Sequence, residues 1–561
     1  MTAETTPAAG RRVAVIGGGI AGLGTAALLA AEGYEVDVFE QQDTVGGRAG
    51  SVAVDGFRFD TGPSWYLMPE VFEHFFRLLG TTVEEQLDLR VLDPAYRVFY
   101  EGEPGGEQPP PLDVVADTDA NLATFEAVEP GAGARLAAYL ESSSEAYEVA
   151  LRHFLYTSFT SPLALASPDV LRRLPRLLPL LVRSLEDFVA ARFTDVRLRQ
   201  VLGYPAVFLG SSPDRAPSLY HLMSGLDLTG GVMYPQGGFT RLIEAVAQQA
   251  TRHGTRIHTG ATVVGVGTED LTPTGRRGLR SRLRGRGPRA RATGVRWRDA
   301  DGVEHEHRAD VVVGAGDLHH LETRLLPEHL RTYPQRYWDR RSSGPGAVLV
   351  LLGVRGELPT MPHHSLFFTS DWHANFDAIF AGQVPSPASA YVCKPSATDP
   401  GVAPEGHENL FVLVPVPADP GLGRGGADGR GDPAVEAVAD AAIDQVARWA
   451  GVPDLAERVV VRRTIGPGDF SADLNAWRGG MLGPGHTLRQ SAMFRARNRS
   501  RRVDGLLYAG SSTIPGIGLP MCLISAELVL KQLRGDTSSG PSPEPADAAP
   551  ARPADLAVGG R

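Results

Sequence analysis

The chain has 561 residues, 42% of them hydrophobic and 21% charged: ordinary globular composition, and more length than one compact core takes up, so two domains are expected. A formal charge of −10 and a pI near 5.9 exclude a general nucleic-acid binder, which needs a basic footprint. Its two cysteines, Cys393 and Cys522, have no CxxC partner and support neither a disulfide framework nor a cysteine-rich metal centre; such usage fits the cytosol.

Residues 1–11 read as a disordered tail. A short apolar β run follows (12–16, RVAVI), then a helix over 20–32 and a strand over 36–40, which is the opening of a doubly wound sheet. Residues 13–31 carry no charge and follow Arg11-Arg12, so the run could also be taken for a twin-arginine signal or a membrane span. Five glycines inside it and the strand EGYEVDVFE directly after it argue against both. Gly17-x-Gly19-x-x-Gly22 sits between strand and helix, where backbone amides can approach a pyrophosphate without side-chain obstruction. Glu40 falls eighteen residues after Gly22, where a carboxylate can accept from a ribose. NAD and FAD share that fingerprint. Gly46-Gly47-Arg48, six residues past Glu40, separates them: an acid-x5-Gly-Gly-Arg array is typical of one flavoprotein class. In FDTGPSW (59–65) a tight turn near the flavin is expected; Asp60 either belongs to it or merely caps a local turn.

Residues 101–111 form a loop, and 121–193 are mostly helical, rich in Leu and Arg. Within them LRRLPRLLPLLVRSL (171–185) reads equally as an interfacial membrane helix or as a core helical pair over the active site. Tyr234-Pro-Gln-Gly-Gly leads into an amphipathic helix over 239–253, with β signals over 256–266 and 294–298. Between those strands, residues 276–291 hold eight arginines among glycines and a proline: an inserted mobile loop, or a contact for anionic headgroups. DVVVGAG (310–316) is a buried strand closing into a glycine turn. Further strands are expected over 347–354 and 410–415, a loop over 420–433, a helix over 434–449, and a disordered Pro/Ala tail over 536–561. Near the end, a strand reaching Gly510 enters the loop SSTIPGIGLPM and a helix over 522–533. This arrangement suits the pyrimidine edge of a flavin, because helix-end amides stabilise negative charge on a reduced ring.

Together the stretches VAVIGGGIAGLGTAALLAAEGYEVDVFEQQDTVGGRA, FDTGPSW, YPQGGFTRLIEAVA, HHSLFF, APEGHENLFVLVPVP, DFSADLNAWRGG, LRQSAMFRARNRS and the final loop resemble the bacterial-type phytoene desaturase family. That family is the carotenoid desaturase and isomerase branch of the amine oxidase-like flavoproteins. The resemblance implies an α/β fold: a Rossmann-type FAD-binding domain (12–100, 235–320 and 480–535) with an α+β substrate-binding region inserted in it (101–234 and 321–479). It also implies that Gly17, Gly19, Gly22, Glu40, Gly47 and Arg48 hold the ADP and diphosphate part of FAD, that the Val263 backbone reads adenine, and that Gly510 and Met521 lie on the flavin side. Many relatives have Thr-His-Pro-Gly where this chain has Thr513-Ile514-Pro515-Gly516, so no histidine there can serve catalysis.

The family's substrates are long polyene hydrocarbons, held by burial in an apolar channel and oxidised by hydride transfer to the flavin, phytoene towards lycopene being the type reaction. His221, His363, His364, Asp60 and Asp227 are visible candidate bases, and none is assigned as a catalytic residue. With no second nucleotide fingerprint, oxygen or a membrane quinone is expected to reoxidise the flavin. The substrate logic places the protein in the cytoplasm, attached peripherally to the inner membrane face. The rival readings are another carotenoid-acting flavoenzyme (isomerase, saturase or oxidase) and, outside catalysis, an isoprenoid-binding escort protein of the same fold. Gly19, Glu40 and Arg48 argue against the escort.

Overall fold

The computed structural model describes residues 10–103, 106–159, 168–271 and 287–545. Most of the N-terminal tail, most of the arginine-rich segment and the last sixteen residues therefore lie outside the described residues.

Five strands form an all-parallel sheet in the spatial order Leu506–Tyr508, Val311–Gly314, Arg12–Ile16, Glu35–Phe39, Arg256–His258. The first helix (Ile20–Ala31) is apolar all round and almost wholly buried, as a helix between a sheet and other helices must be. Its Gly24 allows close approach of the final helix (Leu519–Arg534), for a Cβ there would stand 2.9 Å from Leu523 Cδ2. The two chain ends are thereby packed side by side, and this is a Rossmann-type domain assembled from distant segments.

A second sheet has seven strands, in the order Val459–Ile465, Gly346–Arg355, His407–Val416, Ala390–Cys393, His364–Phe368, Tyr96–Tyr100, Leu112–Val114. Strand periodicity sends alternate residues of Gly346–Arg355 to opposite faces. Ala347, Leu349 and Leu351 join the central core, whereas Val348, Val350 and Leu352 join a core closed by the Pro433–Trp449 helix. Both faces are covered, which is why the strand reads as an unbroken apolar run. Tyr96–Tyr100 pairs here, parallel to His364–Phe368, and not with the nucleotide sheet to which the boundary at residue 100 would give it. The composition change that set the boundary is only the loop of a hairpin between Tyr96–Tyr100 and Leu112–Val114.

Pro168–Val182 is one helix in spite of Pro175 and Pro179. One further expectation changes. Residues 536–545, expected to be disordered, are fixed against the final helix: Lys531 Nζ donates to the carbonyls of Ser538 (2.8 Å) and Gly540 (2.6 Å), and Ser542 N–H donates to Glu527 (2.6 Å). A cation near a helix C-terminus has satisfied a carbonyl-rich segment that composition alone leaves unordered.

Candidate active site

The strand-to-helix turn is held by close backbone contacts. Gly17 N–H donates to Phe39 O at 2.9 Å, and Gly17 has φ +105°. Gly22 packs beneath it, where a Cβ would lie 2.0 Å from Gly17 O. Gly19 differs: a Cβ there would meet nothing nearer than Gly46 O at 3.7 Å. Room on the protein side and a glycine all the same is what a ligand-facing position shows. Glu40 is buried at the end of the second strand; it accepts from Gly18 N–H (2.6 Å) through one oxygen and from Gln42 N–H (2.9 Å) through the other. An ionised carboxylate has about four acceptor sites, so it retains capacity for hydroxyl donors. Gly46 and Gly47, both at positive φ, fold the next turn back onto Gly18 and Gly19, with Gly46 N–H donating to Gly18 O at 2.9 Å. Arg48 then projects inward. Its Nη2 is 3.6 Å from Asp317 Oδ2, while its Nε and Nη2 are buried without a hydrogen-bond partner. A guanidinium seldom leaves buried donors unmade, so the cradle is built to receive an anion such as a diphosphate.

Val263 stands near the other end of the cradle. Ala261 N–H donates to Glu40 O (2.8 Å), and a bulge between Val263 and Gly265 interrupts the pairing with the Ala290–Arg298 strand. At the opposite end Gly510, φ +115°, donates to Ser525 Oγ at 3.0 Å. The loop beyond it is fixed by Asn498, whose Nδ2 donates to Ile514 O at 2.9 Å, and by Arg495, whose guanidinium donates to the carbonyls of Ser511 and Thr513. Burial pushes Arg495 down to about 10. Of the nine expected site residues, eight line one cavity of about 690 Å³: Gly17, Gly19, Glu40, Gly47, Arg48, Val263, Gly510 and Met521. Gly22 supports the turn from below.

From this cradle the cavity continues into an apolar channel between the seven-stranded sheet, which contributes Leu349, Phe368 and Phe411, and the helical layer, which contributes Leu177, Leu181 and Leu226. Ile514, at the place where relatives carry histidine, is fully buried among Met68, Tyr156 and Phe159. The five candidate bases do not line the cavity. His221 is held between Ser218 O and Ser142 Oγ, and burial lowers it to about 4. Asp227 is bonded to the Tyr204 hydroxyl and raised by burial to about 7. Asp60 directly precedes the cavity-lining residues Thr61–Trp65 and does not cap a local turn. It accepts from Phe239 N–H (2.7 Å) and Thr240 Oγ1 (3.1 Å), capping a helix whose own N-cap, Gly238, has no side chain. His363 and His364 are buried behind the cavity wall.

Sequence reasoning missed His486. It lines the cavity, its Nδ1 is 2.8 Å from the Tyr220 hydroxyl, and its ring crowds Gly516 so closely that a Cβ there would be 2.3 Å away. Burial, with Arg495 adding to it, holds the imidazole well below its usual range and so neutral. Its segment, GPGHTL, has no spacing that marks it.

A parallel sheet, a glycine cradle ending on an arginine whose buried donors make no hydrogen bond, and a continuous apolar channel define a dinucleotide-binding oxidoreductase with a hydrophobic substrate. The chain belongs to the flavin-containing amine oxidoreductase family, whose pattern it matches over residues 20–529. It is 39% identical to the carotenoid 3,4-desaturase of Haloarcula japonica, over 94% of this chain and 99% of that protein. It is 34% identical to the zeta-carotene-forming phytoene desaturase of Myxococcus xanthus, over 93% and 94%. Among solved structures, an oxidoreductase from Methanosarcina mazei shares the fold with a TM-score of 0.54 at 16% identity, covering 93% of this chain and all of that one. Putrescine oxidase bound to putrescine does so with a TM-score of 0.55 at 15% identity, over 94% and 98%.

Proposed function

We propose that this FAD-dependent oxidoreductase desaturates a carotenoid precursor, phytoene towards lycopene or a related polyene. The observation that carries the reading is the single cavity running from the glycine cradle into an apolar channel. The two relatives, whose names place carotenoid desaturation in both, support it.

In this reading the amides at the start of the Ile20–Ala31 helix, reached through Gly17, Gly19 and Gly22, take the diphosphate of FAD, and Arg48 neutralises it. Glu40 accepts from a ribose, the Val263 backbone meets the adenine, and Gly510 and Met521 border the flavin. Bound FAD supplies hydride acceptance at its reactive nitrogen. The chain's own part is placement and dryness. A polyene offers no polar handle, and burial at about 25 cal/mol per Å² holds it without one. Oxygen or a membrane quinone takes the electrons onward, and a cytoplasmic protein resting on the inner membrane face would meet a membrane-dissolved substrate directly.

Expression in a host that accumulates phytoene, with pigments separated by chromatography and read by absorbance, tests the proposal. Coloured products of longer conjugation are expected, and their spectra count the steps. The relative at 39% identity favours one second reading, 3,4-desaturation of an already conjugated carotenoid. Phytoene left unchanged beside end-desaturated lycopene would select it, and neither conversion by a yellow, folded protein would overturn both.

A further inference from the structure

Desaturation removes a hydride and a proton from neighbouring carbons. The hydride has its acceptor, but a proton released in an apolar channel needs a polar way out. Ser64 and Tyr391 both line the cavity and are 7% and 8% exposed. Ser64 belongs to a segment pinned onto the Arg48 turn: Thr61 N–H donates to Gly50 O at 2.9 Å, and a Cβ on Gly62 would stand 1.9 Å from Arg48 O. Ser64 therefore sits beside the cofactor cradle. Its Oγ is 2.6 Å from Tyr391 Oη, which in turn is 2.7 Å from His364 Nδ1. His364 is fully buried and stacks on Trp65, another cavity residue, with centroids 4.7 Å apart. Its Nε2 and that of His363 have no hydrogen-bond partner. A ring nitrogen of each histidine and the Cys393 sulfur lie within 4.8 Å of one another. Beyond, His363 Nδ1 is 2.9 Å from Thr398 Oγ1, and Thr398 O accepts from the partly exposed Gln236 (3.2 Å).

We propose that Ser64, Tyr391 and His364 form a proton relay that leads the substrate's proton out of the cavity, an assignment that rests on the desaturase reading. As the hydride leaves one carbon with both electrons of its C–H bond, the C–H bond on the neighbouring carbon breaks. Its electron pair becomes the second bond of the new double bond, and its proton goes to Ser64 Oγ. Ser64 gives its own hydroxyl proton to Tyr391, and Tyr391 gives its own to His364 Nδ1, which ends as an imidazolium. The imidazolium then releases its Nε2 proton towards the adjoining His363 ring and solvent, which leaves the Nδ1–H tautomer, and proton exchange with solvent returns it to the Nε2–H form before the next turnover. A carbon beside one losing hydride is strongly acidic, so a neutral hydroxyl backed by a neutral imidazole suffices as acceptor. Burial, with His363 adding to it, holds His364 well below the usual histidine range, so the ring rests neutral and the imidazolium is short-lived.

The test uses the full-length holoenzyme with phytoene in liposomes, followed anaerobically by bleaching of flavin absorbance in a single turnover. Tyr391→Phe and His364→Gln are expected to keep their flavin content and to bleach on the order of a hundredfold more slowly. A solvent deuterium isotope effect should be present in the wild type and absent in Tyr391→Phe. Independently of turnover, ¹⁵N NMR of the histidine rings should find His364 protonated at Nε2, with its Nδ1 resonance moving in Tyr391→Phe. Bleaching of Tyr391→Phe at the wild-type rate, an Nδ1–H tautomer, or an equivalent of zinc in the purified holoenzyme would each overturn the relay while a desaturating wild type leaves the function standing. A wild type that does not desaturate phytoene or lycopene removes both.

Discussion

Gly19 and Gly22 belong to one turn, yet different neighbours exclude a side chain at each. At Gly22 the obstacle is the protein's own backbone, with Gly17 O 2.0 Å from where a methyl carbon would stand; at Gly19 the nearest atom is an ordinary 3.7 Å away. Gly22→Ala should therefore destabilise the protein even without cofactor, by about 1–3 kcal/mol as overpacked sites do. Gly19→Ala should leave the melting temperature of the apoprotein unchanged and lose bound flavin. The ratio of flavin to protein absorbance, read beside thermal unfolding of the apoprotein, separates the two. A Gly19→Ala apoprotein as destabilised as Gly22→Ala would show that the turn, not the ligand, requires both glycines. These positions were legible in the sequence because the constraint is local: a strand, a turn and a helix within a dozen residues. Asp60 was legible only as a residue of interest, since its helix begins at Phe239.

At the scale of elements, the final helix both closes the cofactor site and anchors the segment that follows it. His74 links the two, with Nε2 3.2 Å from Glu527 and Nδ1 2.8 Å from Glu544. Arg77 lies 3.7 Å from Glu544, and the Tyr156 ring meets His74 edge-on. Burial pushes the imidazole down, but the two carboxylates outweigh it and hold the folded-state value above the usual histidine range. A group whose pKa rises on folding contributes stability that is complete below its unfolded value, about 6.5, and is lost as pH climbs through the folded value. Amide exchange over residues 536–545, corrected for intrinsic rates, should therefore show more protection at about pH 6 than at about pH 9. Glu544→Gln should shrink the difference. Equal protection at both pH values would mean that the backbone carbonyls on Lys531 hold the segment unaided.

For the molecule as a whole, the half of the site that the sequence revealed is the half with local spacing. The channel wall is different: Ser64 meets Tyr391 across 327 positions and Tyr220 meets His486 across 266, and no periodicity within any one segment encodes such contacts. Burial on both faces hides strand alternation in the same way, and pairing across the sheet, not composition, decides that Tyr96–Tyr100 joins the seven-stranded sheet. The helix Pro168–Val182 shows why its sequence admitted two readings. Leu177 and Leu181 line the channel, whereas Leu178 and Val182, one turn apart, are 53% and 72% exposed. Leu488, Met493 and Phe494 also line the cavity while remaining substantially exposed, so apolar side chains run from the channel to the outer surface in two places. Among the described residues no helix is long and apolar enough to cross a membrane. A peripheral protein drawing a hydrocarbon from a bilayer would gain about 25 cal/mol for each Å² of such surface that entered the lipid. Flotation with intact liposomes should carry the wild type upward. Leu178→Glu/Val182→Glu and Met493→Glu/Phe494→Glu should each reduce the floated fraction severalfold, and Leu178→Glu/Val182→Glu, whose side chains lie outside the cavity, should keep desaturating detergent-solubilised substrate. Wild-type protein that stays wholly at the bottom of the gradient would sink peripheral attachment and leave these side chains as the mouth of a channel filled by some carrier.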